Sequence, residues 1–150
     1  MSCFSKSWHS PVMWAHYADD HKGLCLGFDV KEGMAKEIEY PPAPQTVTAI
    51  NTEFVEKLWF TKYVHWQYEE EVRLYATVDK REGDFYFKDF DDDLVLREII
   101  IGSKSHLTKQ RVRQKSKVDL SEIRIINARS AEDSFKMVED EKWTEDNRDK

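Results

Sequence analysis

Short apolar or alternating runs along the chain predict eight β-strands, because alternation with a period of two places apolar residues on one face of a sheet. The runs cover residues 1–5, 24–29, 37–40, 68–78, 85–87, 94–101, 123–127 and 135–138. In residues 68–78, apolar side chains fall on one side of the strand and polar ones on the other, although Glu70 interrupts the apolar side. Residues 41–44, which contain three prolines, predict a loop.

Apolar residues at helical spacing predict three helices. Ser10 and Pro11 are typical of a helix start, Gly23 of a helix end. One stripe of this first helix would face the core: Trp14, Tyr17, Ala18 and His21. The other two helices are predicted over residues 52–63 and 107–117.

These elements predict an α+β fold, with a mixed, mainly antiparallel sheet and about three helices packed on it. The chain's 150 residues fit one domain, which we expect over residues 1–138. Residues 139–150 hold one aromatic residue among many charges, and we expect a mobile tail there.

The net charge of −6 argues against a general nucleic-acid binder. Residues 104–117 form a basic run without acidic residues, which suits phosphate groups but is also typical of a solvated helix face. Two cysteines are too few for a disulfide framework, and no apolar run is long enough for a signal peptide or a membrane span. We therefore expect a soluble cytoplasmic protein.

Glu69, Glu71 and Arg73 are the residues with the clearest potential for chemistry. Side chains two apart on a strand project from the same face, so two carboxylates and a guanidinium would be neighbours. Repulsion would favour a proton on one carboxylate, while the arginine would keep the other ionised, which suits acid/base or cation-stabilising chemistry. The simpler alternative is a solvated face with cross-strand ion pairs.

On the first helix, His16 precedes Asp20 by four residues, a spacing at which helical side chains meet. Base orientation or metal binding would follow from this pair, but one histidine and one carboxylate do not make a metal site. We predict no metal site. Ser5 lies at a strand end without the turn that surrounds a nucleophilic serine.

Two blocks of the sequence resemble an uncharacterised bacterial family, domain of unknown function 2971. The first runs from Cys3-Phe4-Ser5 through the tryptophan-, histidine- and glycine-containing segment of residues 11–29, and the second covers residues 66–74. Members of that family carry a further segment before the Cys-Phe-Ser strand, so the resemblance implies that an N-terminal part is missing here. The family has no established activity.

Glu69-Glu70-Glu71 is also similar to the Glu-x-Glu element of ADP-ribosyltransferases that modify arginine. That similarity implies that Glu71 stabilises a positively charged sugar as nicotinamide leaves NAD, and that Glu69 orients the acceptor. His16 and Ser5 would then help to hold the NAD cofactor.

Our leading hypothesis is an enzyme-like domain, an ADP-ribosyltransferase-like transferase, that binds a nucleotide-type small molecule such as NAD between the His16 helix and the Glu71 strand. Glu71, Glu69 and His16 are the predicted catalytic residues. The predicted substrate-binding residues are Ser5, Trp14, Tyr17, Asp20 and Arg73. One alternative is a non-catalytic module that binds a protein partner or a second copy through Trp8, Trp59 or Trp143, with structural charged residues. Another is metal-assisted hydrolysis through His16, Asp20 and Glu71.

Overall fold

The structure is a computed structural model that describes residues 1–44, 46, 50–75, 80–87 and 90–143. Within these residues the fold is α+β with mostly antiparallel sheets, which confirms the predicted class. The helices are α1 (Pro11–Tyr17), α2 (Thr52–Trp59) and α3 (Lys109–Lys115), with a 3₁₀ helix at Val64–Glu69. The strands are β1 (Ser2–Ser5), β2 (Leu24–Val30), β3 (Ala35–Glu37), β4 (Glu71–Leu74), β5 (Lys80–Glu82), β6 (Phe85–Phe87), β7 (Leu94–Ile101), β8 (Arg124–Ser130) and β9 (Met137–Glu139).

The chain divides into two compact units, each built from two stretches of sequence. Unit 1 comprises Met1–Ser7 and Val30–Asp93, and unit 2 comprises Trp8–Asp29 and Leu94–Lys150. The expectation of one domain over residues 1–138 stays a prediction. Of the expected tail, Glu139 lies in β9 and the Asp140 N–H donates to the Asn127 carbonyl at 2.8 Å, while residues 144–150 lie outside the described part.

Unit 1 contains a three-stranded sheet in the order β1-β4-β3, and both pairings are antiparallel. Cys3 lies opposite Arg73 and Ser5 opposite Glu71, while Lys36 lies opposite Arg73 on the other side of β4. Because β4 is the central strand, its side chains are flanked by residues from both neighbours. A separate antiparallel hairpin pairs β5 with β6, and β5 was not predicted.

Unit 2 contains a four-stranded sheet in the order β2-β7-β8-β9. β7 and β8 are parallel and joined through α3, while β8 and β9 are antiparallel. Alternate side chains of the two central strands supply two cores. One contains Trp14, Ile100, Ile126, Ala128 and Met137. The other contains Ile99, Ile101, Val112, Leu120 and Ile125.

The first helix is shorter than predicted. Ser10 caps it as expected, since its hydroxyl accepts from the Met13 N–H at 3.4 Å, but α1 ends at Tyr17. Asp19, Asp20 and His21 then adopt left-handed backbone conformations, with φ of 46°, 52° and 68°. Only part of the predicted core stripe is therefore buried: Trp14 is, whereas Tyr17 is exposed.

The prediction of one strand over residues 68–78 was wrong in its first part. Tyr68 and Glu69 belong to the 3₁₀ helix, and Glu70 is left-handed with φ of 46° before β4 begins at Glu71. Residues 76–78 lie outside the described residues. The consequence for the candidate site is that Glu69 and Glu71 do not lie side by side on one strand.

Candidate functional site

Glu71 is the centre of a buried charged network in unit 1. It opens β4, and its N–H donates to the Tyr40 hydroxyl at 2.8 Å. Arg73, two residues further along the same strand, donates from Nε to Glu71 Oε1 at 2.6 Å and from Nη2 to Oε2 at 3.3 Å. The fork of the guanidinium therefore holds both oxygens of the carboxylate.

Lys62 completes this network from outside the strand. Its ammonium group donates to Glu71 Oε2 at 3.0 Å and to Glu69 Oε2. Glu69 reaches this lysine from the 3₁₀ helix, so one cation joins the two predicted catalytic carboxylates. Both glutamates are buried, at 3% and 5% exposure, and two cations balance their two charges.

The network keeps Glu71 ionised. Burial raises the pKa of a carboxyl group, but hydrogen bonds from Arg73, Cys3 and Lys62 outweigh burial and lower the pKa of Glu71 to about 2. This agrees with the expectation that the arginine keeps one of the two carboxylates ionised. Glu71 is suited to stabilising positive charge and not to donating a proton.

Cys3 takes part in the network through its thiol. Burial and a hydrogen bond to Glu71 raise the pKa of Cys3, so the thiol stays protonated and acts as a donor to the carboxylate. A protonated thiol is a poor nucleophile. Cys3 is therefore not suited to act as a nucleophile.

An aromatic cluster lies directly beside the network. The Trp59 and Tyr75 ring centroids are 5.7 Å apart, and those of Phe60 and Tyr75 are 5.3 Å apart. Trp59 and Tyr75 remain 50% and 39% exposed. The Lys36 ammonium lies 4.3 Å from the centroid of the Phe60 ring. We call these four residues, Lys36, Trp59, Phe60 and Tyr75, the aromatic cluster.

Arg73 connects the network to the aromatic cluster. While Nε and Nη2 bind Glu71, Nη1 donates to the carbonyl of Trp59, the last residue of α2. A carbonyl in the last turn of a helix has no partner within the helix, and Arg73 supplies one. The charge of Glu71 therefore fixes an arginine that in turn fixes the backbone beneath Trp59.

Ser5 lies opposite Glu71 across the sheet, but its hydroxyl is engaged locally. It donates to the Ser7 carbonyl at 2.9 Å and accepts from the Ser7 N–H at 3.2 Å. Ser5 thus shapes the end of β1, and the role assigned to it in ligand binding stays a prediction.

The other predicted residues belong to unit 2. Trp14 is a core residue whose indole N–H donates to the Trp8 carbonyl at 2.6 Å. Asp20 forms a surface ion pair with Lys104 at 2.9 Å, and its pKa is lowered by the hydrogen bond to that lysine. His16 and Tyr17 end α1.

His16 and Asp20 do not share a helix as expected, because α1 ends at Tyr17. The structure brings together Glu69, Glu71 and Arg73, with Ser5 opposite Glu71, and separately groups the four unit 2 residues near α1. The predicted pocket that uses both groups stays a prediction. No group of three or more metal-binding side chains occurs in the described part of the chain.

Lys62 and Lys36 were missed by sequence reasoning. Two buried carboxylates facing one arginine require a second cation, and Lys62 stands seven residues before Glu69. That requirement was visible only if Glu69 and Glu71 were known to be buried. Lys36 carries no sequence signal, since its position depends on the register of β3 against β4.

A comparison with protein families identifies a match to the family model described as protein of unknown function (DUF2971), over residues 13–48. The match confirms the resemblance of the first sequence block. Searches among curated proteins and among solved structures gave no significant match. Within the described residues, none of the helices has the length and apolar character needed to cross a membrane.

Proposed function

We propose that this chain binds a nucleotide-type small molecule through the aromatic cluster of unit 1. The observation that carries the proposal is an exposed ammonium, Lys36, beside two half-exposed rings, Trp59 and Tyr75. An aromatic surface can stack on a base, and a neighbouring cation can bind phosphate. The chemistry required of the ligand is therefore an aromatic ring joined to an anionic group, as in NAD or ADP-ribose.

Lys36 is the cation available for an anionic group. Arg73 and Lys62 already neutralise the buried glutamates, with side chains only 14% and 24% exposed. Lys36 has no ion pair among the described residues, and its contact is with the Phe60 ring. A phosphate close to that ring would meet a cation without breaking an existing salt bridge.

Glu71 is a positioning residue in this proposal. Its carboxylate is held by three side chains and buried, so a ligand would reach it only after displacing one of them. Its ionised state instead holds Arg73 in place under Trp59. The charged network is then structural, and the adjacent aromatic cluster binds the ligand. The proposal thus keeps ligand binding from the leading hypothesis and takes structural charged residues from the non-catalytic alternative.

Thermal unfolding with matched ligands tests the proposal. NAD and ADP-ribose contain both a ring and phosphates, nicotinamide contains only the ring, and pyrophosphate only the charge. At about a hundredfold excess over Kd a ligand adds about 2.7 kcal/mol, or about 5–10 °C in Tm for a chain of this size. We expect this shift for NAD and ADP-ribose, and a much smaller one for each fragment.

Two variants locate the site. Trp59→Ala and Lys36→Gln should each abolish most of the shift, whereas Phe85→Ala and Lys80→Gln alter an exposed ring and an exposed lysine of the β5–β6 hairpin and should preserve it. The proposal is wrong if no nucleotide shifts Tm, or if both pairs of variants behave alike. Without any ligand shift, a dimer or a protein complex lost on Trp59→Ala would favour the protein-interaction module.

A second candidate is the ADP-ribosyltransferase-like transferase, and the ionised state of Glu71 is the observation in its favour. A charged carboxylate would stabilise the cation that forms as nicotinamide leaves NAD. Release of nicotinamide from NAD by the wild type, and its loss in Glu71→Gln with NAD binding retained, would support this activity. Release at an unchanged rate in Glu71→Gln would exclude Glu71 as the catalytic carboxylate.

Both cysteines are free thiols, which supports the further proposal of a cytoplasmic location.

A further inference from the structure

Helix α3 of unit 2 has one buried side, and basic residues lie on both flanks of its exposed side. Thr108 and Val112 are buried on the side that faces the sheet, where Val112 packs with Ile99 and Ile125. With about 100° of rotation per residue, the opposite side is centred between Gln110 and Gln114. The charged residues Arg111 and Arg113 flank those two glutamines, and all four are exposed.

The positive charge of the chain is concentrated in this region. Residues 104–117 contain six of its 23 Lys and Arg residues and none of its 29 Asp and Glu residues. The six are Lys104, Lys109, Arg111, Arg113, Lys115 and Lys117. In a chain with a net charge of −6, such segregation gives a local field opposite in sign to that of the whole molecule.

Two of these six side chains have internal roles and the other four do not. Lys104 pairs with Asp20 at 2.9 Å, and Arg113 Nη1 donates to the Leu120 carbonyl at 2.6 Å. The remaining residues form no ion pair with the part of the chain that the structure describes: Lys109, Arg111, Lys115 and Lys117. Their charges are therefore not needed to balance acidic groups of the described fold.

We propose that the exposed side of α3 binds the phosphate backbone of a nucleic acid. Charge complementarity favours a polyanion, and arginine, lysine and glutamine are the side chains that bind phosphate oxygens. A protein partner would need an apolar or aromatic anchor. α3 offers none, because its one apolar residue, Val112, is buried in the core. Contacts of this kind do not read base sequence, so binding is non-specific.

Fluorescence anisotropy of labelled duplexes over a range of KCl concentrations tests this inference. Neutralising three or four phosphates predicts a slope of about −3 in a plot of log affinity against log salt. Duplex DNA, duplex RNA and single strands as separate probes identify the preferred form. The double variant Arg111→Glu/Lys115→Glu should weaken binding at least tenfold and reduce the size of the slope by about 2.

The control is Lys22→Glu/Lys57→Glu, which makes the same change of charge on exposed lysines outside α3. Its affinity should fall much less than that of the α3 variant. The milder Arg111→Gln/Lys115→Gln, which removes the two charges without reversing them, should also reduce the slope if the charge-reversed chain fails to fold. Equal effects of the α3 variants and the control, no binding at low salt, or tighter binding of polyglutamate than of any nucleic acid would each overturn the proposal.

Discussion

Glu71 keeps its charge in a nearly dry position because three different side chains direct hydrogen-bond donors at it. The guanidinium of Arg73, the ammonium of Lys62 and the thiol of Cys3 together outweigh the unfavourable effect of burial. Removing one partner from such a group is costly, since the remaining charges stay buried without compensation. At the scale of residues, the stability of unit 1 therefore depends on a few strong electrostatic contacts.

The low pKa of Glu71 predicts a specific pH dependence of stability. Its folded value of about 2 lies below the usual value of 4.5, so the unfolded chain binds the proton more tightly. The stabilisation is complete above pH 4.5 and is lost as pH falls towards 2. It amounts to about 3 kcal/mol, since one pKa unit corresponds to about 1.36 kcal/mol. Urea unfolding from pH 7 to pH 2 measures this loss.

The variant Glu71→Gln should unfold more easily at pH 7 and show a flatter dependence on pH between 4.5 and 2. Glu53→Gln, which changes an exposed carboxylate of α2, should retain the wild-type dependence. Identical pH profiles for wild type and Glu71→Gln would show that folding does not lower the pKa of Glu71.

The sequence allowed Glu71 and Arg73 to be placed together, because a period of two is an intrinsic property of a strand. It did not allow Glu69 to be placed, because the left-handed Glu70 interrupts the strand and sends Glu69 into the 3₁₀ helix. Glu69 still reaches the network through Lys62. Such a contact between segments depends on tertiary structure and has no local signal.

At the scale of elements, β6 and β7 were predicted best, since both have the predicted bounds. Their apolar and aromatic residues lie between turn signals, although Arg97 and Glu98 interrupt the run in β7. α1 was predicted too long, since Ala18 and His21 continue the helical spacing after the helix has ended at Tyr17. Three successive left-handed residues stop it, and spacing alone does not reveal them.

The left-handed turn after α1 requires a glycine at position 102, directly after β7. A Cβ at Gly102 would overlap the carbonyl oxygen of His21 and lie 2.9 Å from that of Gly23. Both are backbone atoms that also accept hydrogen bonds, from the Lys104 N–H and the Gly102 N–H. The turn therefore packs against the chain directly at this point and has no room for a side chain.

We expect Gly102→Ala to destabilise the chain by about 1–3 kcal/mol through overpacking. Gly27→Ala is the matched control, because its Cβ would lie 3.1 Å from the Cβ of Glu98, a tight contact without the backbone overlap found at Gly102, and would cause a smaller loss. Chemical denaturation of both variants measures the difference. Equal losses would mean that the turn moves away from Gly102 at little cost.

At the scale of the whole molecule, each of the two compact units is discontinuous in sequence. Short-range patterns identify elements but not which distant elements share a core, so this division of the chain could not be predicted from the sequence. The two cores of unit 2 could be recognised only after the pairing of β7 with β8 was known, because that pairing determines which alternate residues face each helix.

β2 and β7 are neighbouring strands in the sheet of unit 2, and residues 31–93, which connect them, form an insertion in the sequence of that unit. The two ends of this insertion are joined: the Lys31 N–H donates to the Asp93 carbonyl at 3.1 Å, and the two side chains form a 2.8 Å ion pair. Closing a loop of this length costs about 2 kcal/mol more than closing a turn of four residues. A chain of residues 8–143 in which a four-residue glycine-rich turn replaces 32–92 should therefore keep the four-stranded sheet, with a cooperative thermal transition by circular dichroism. If that shortened chain melts without cooperativity, unit 2 requires the inserted residues in order to fold.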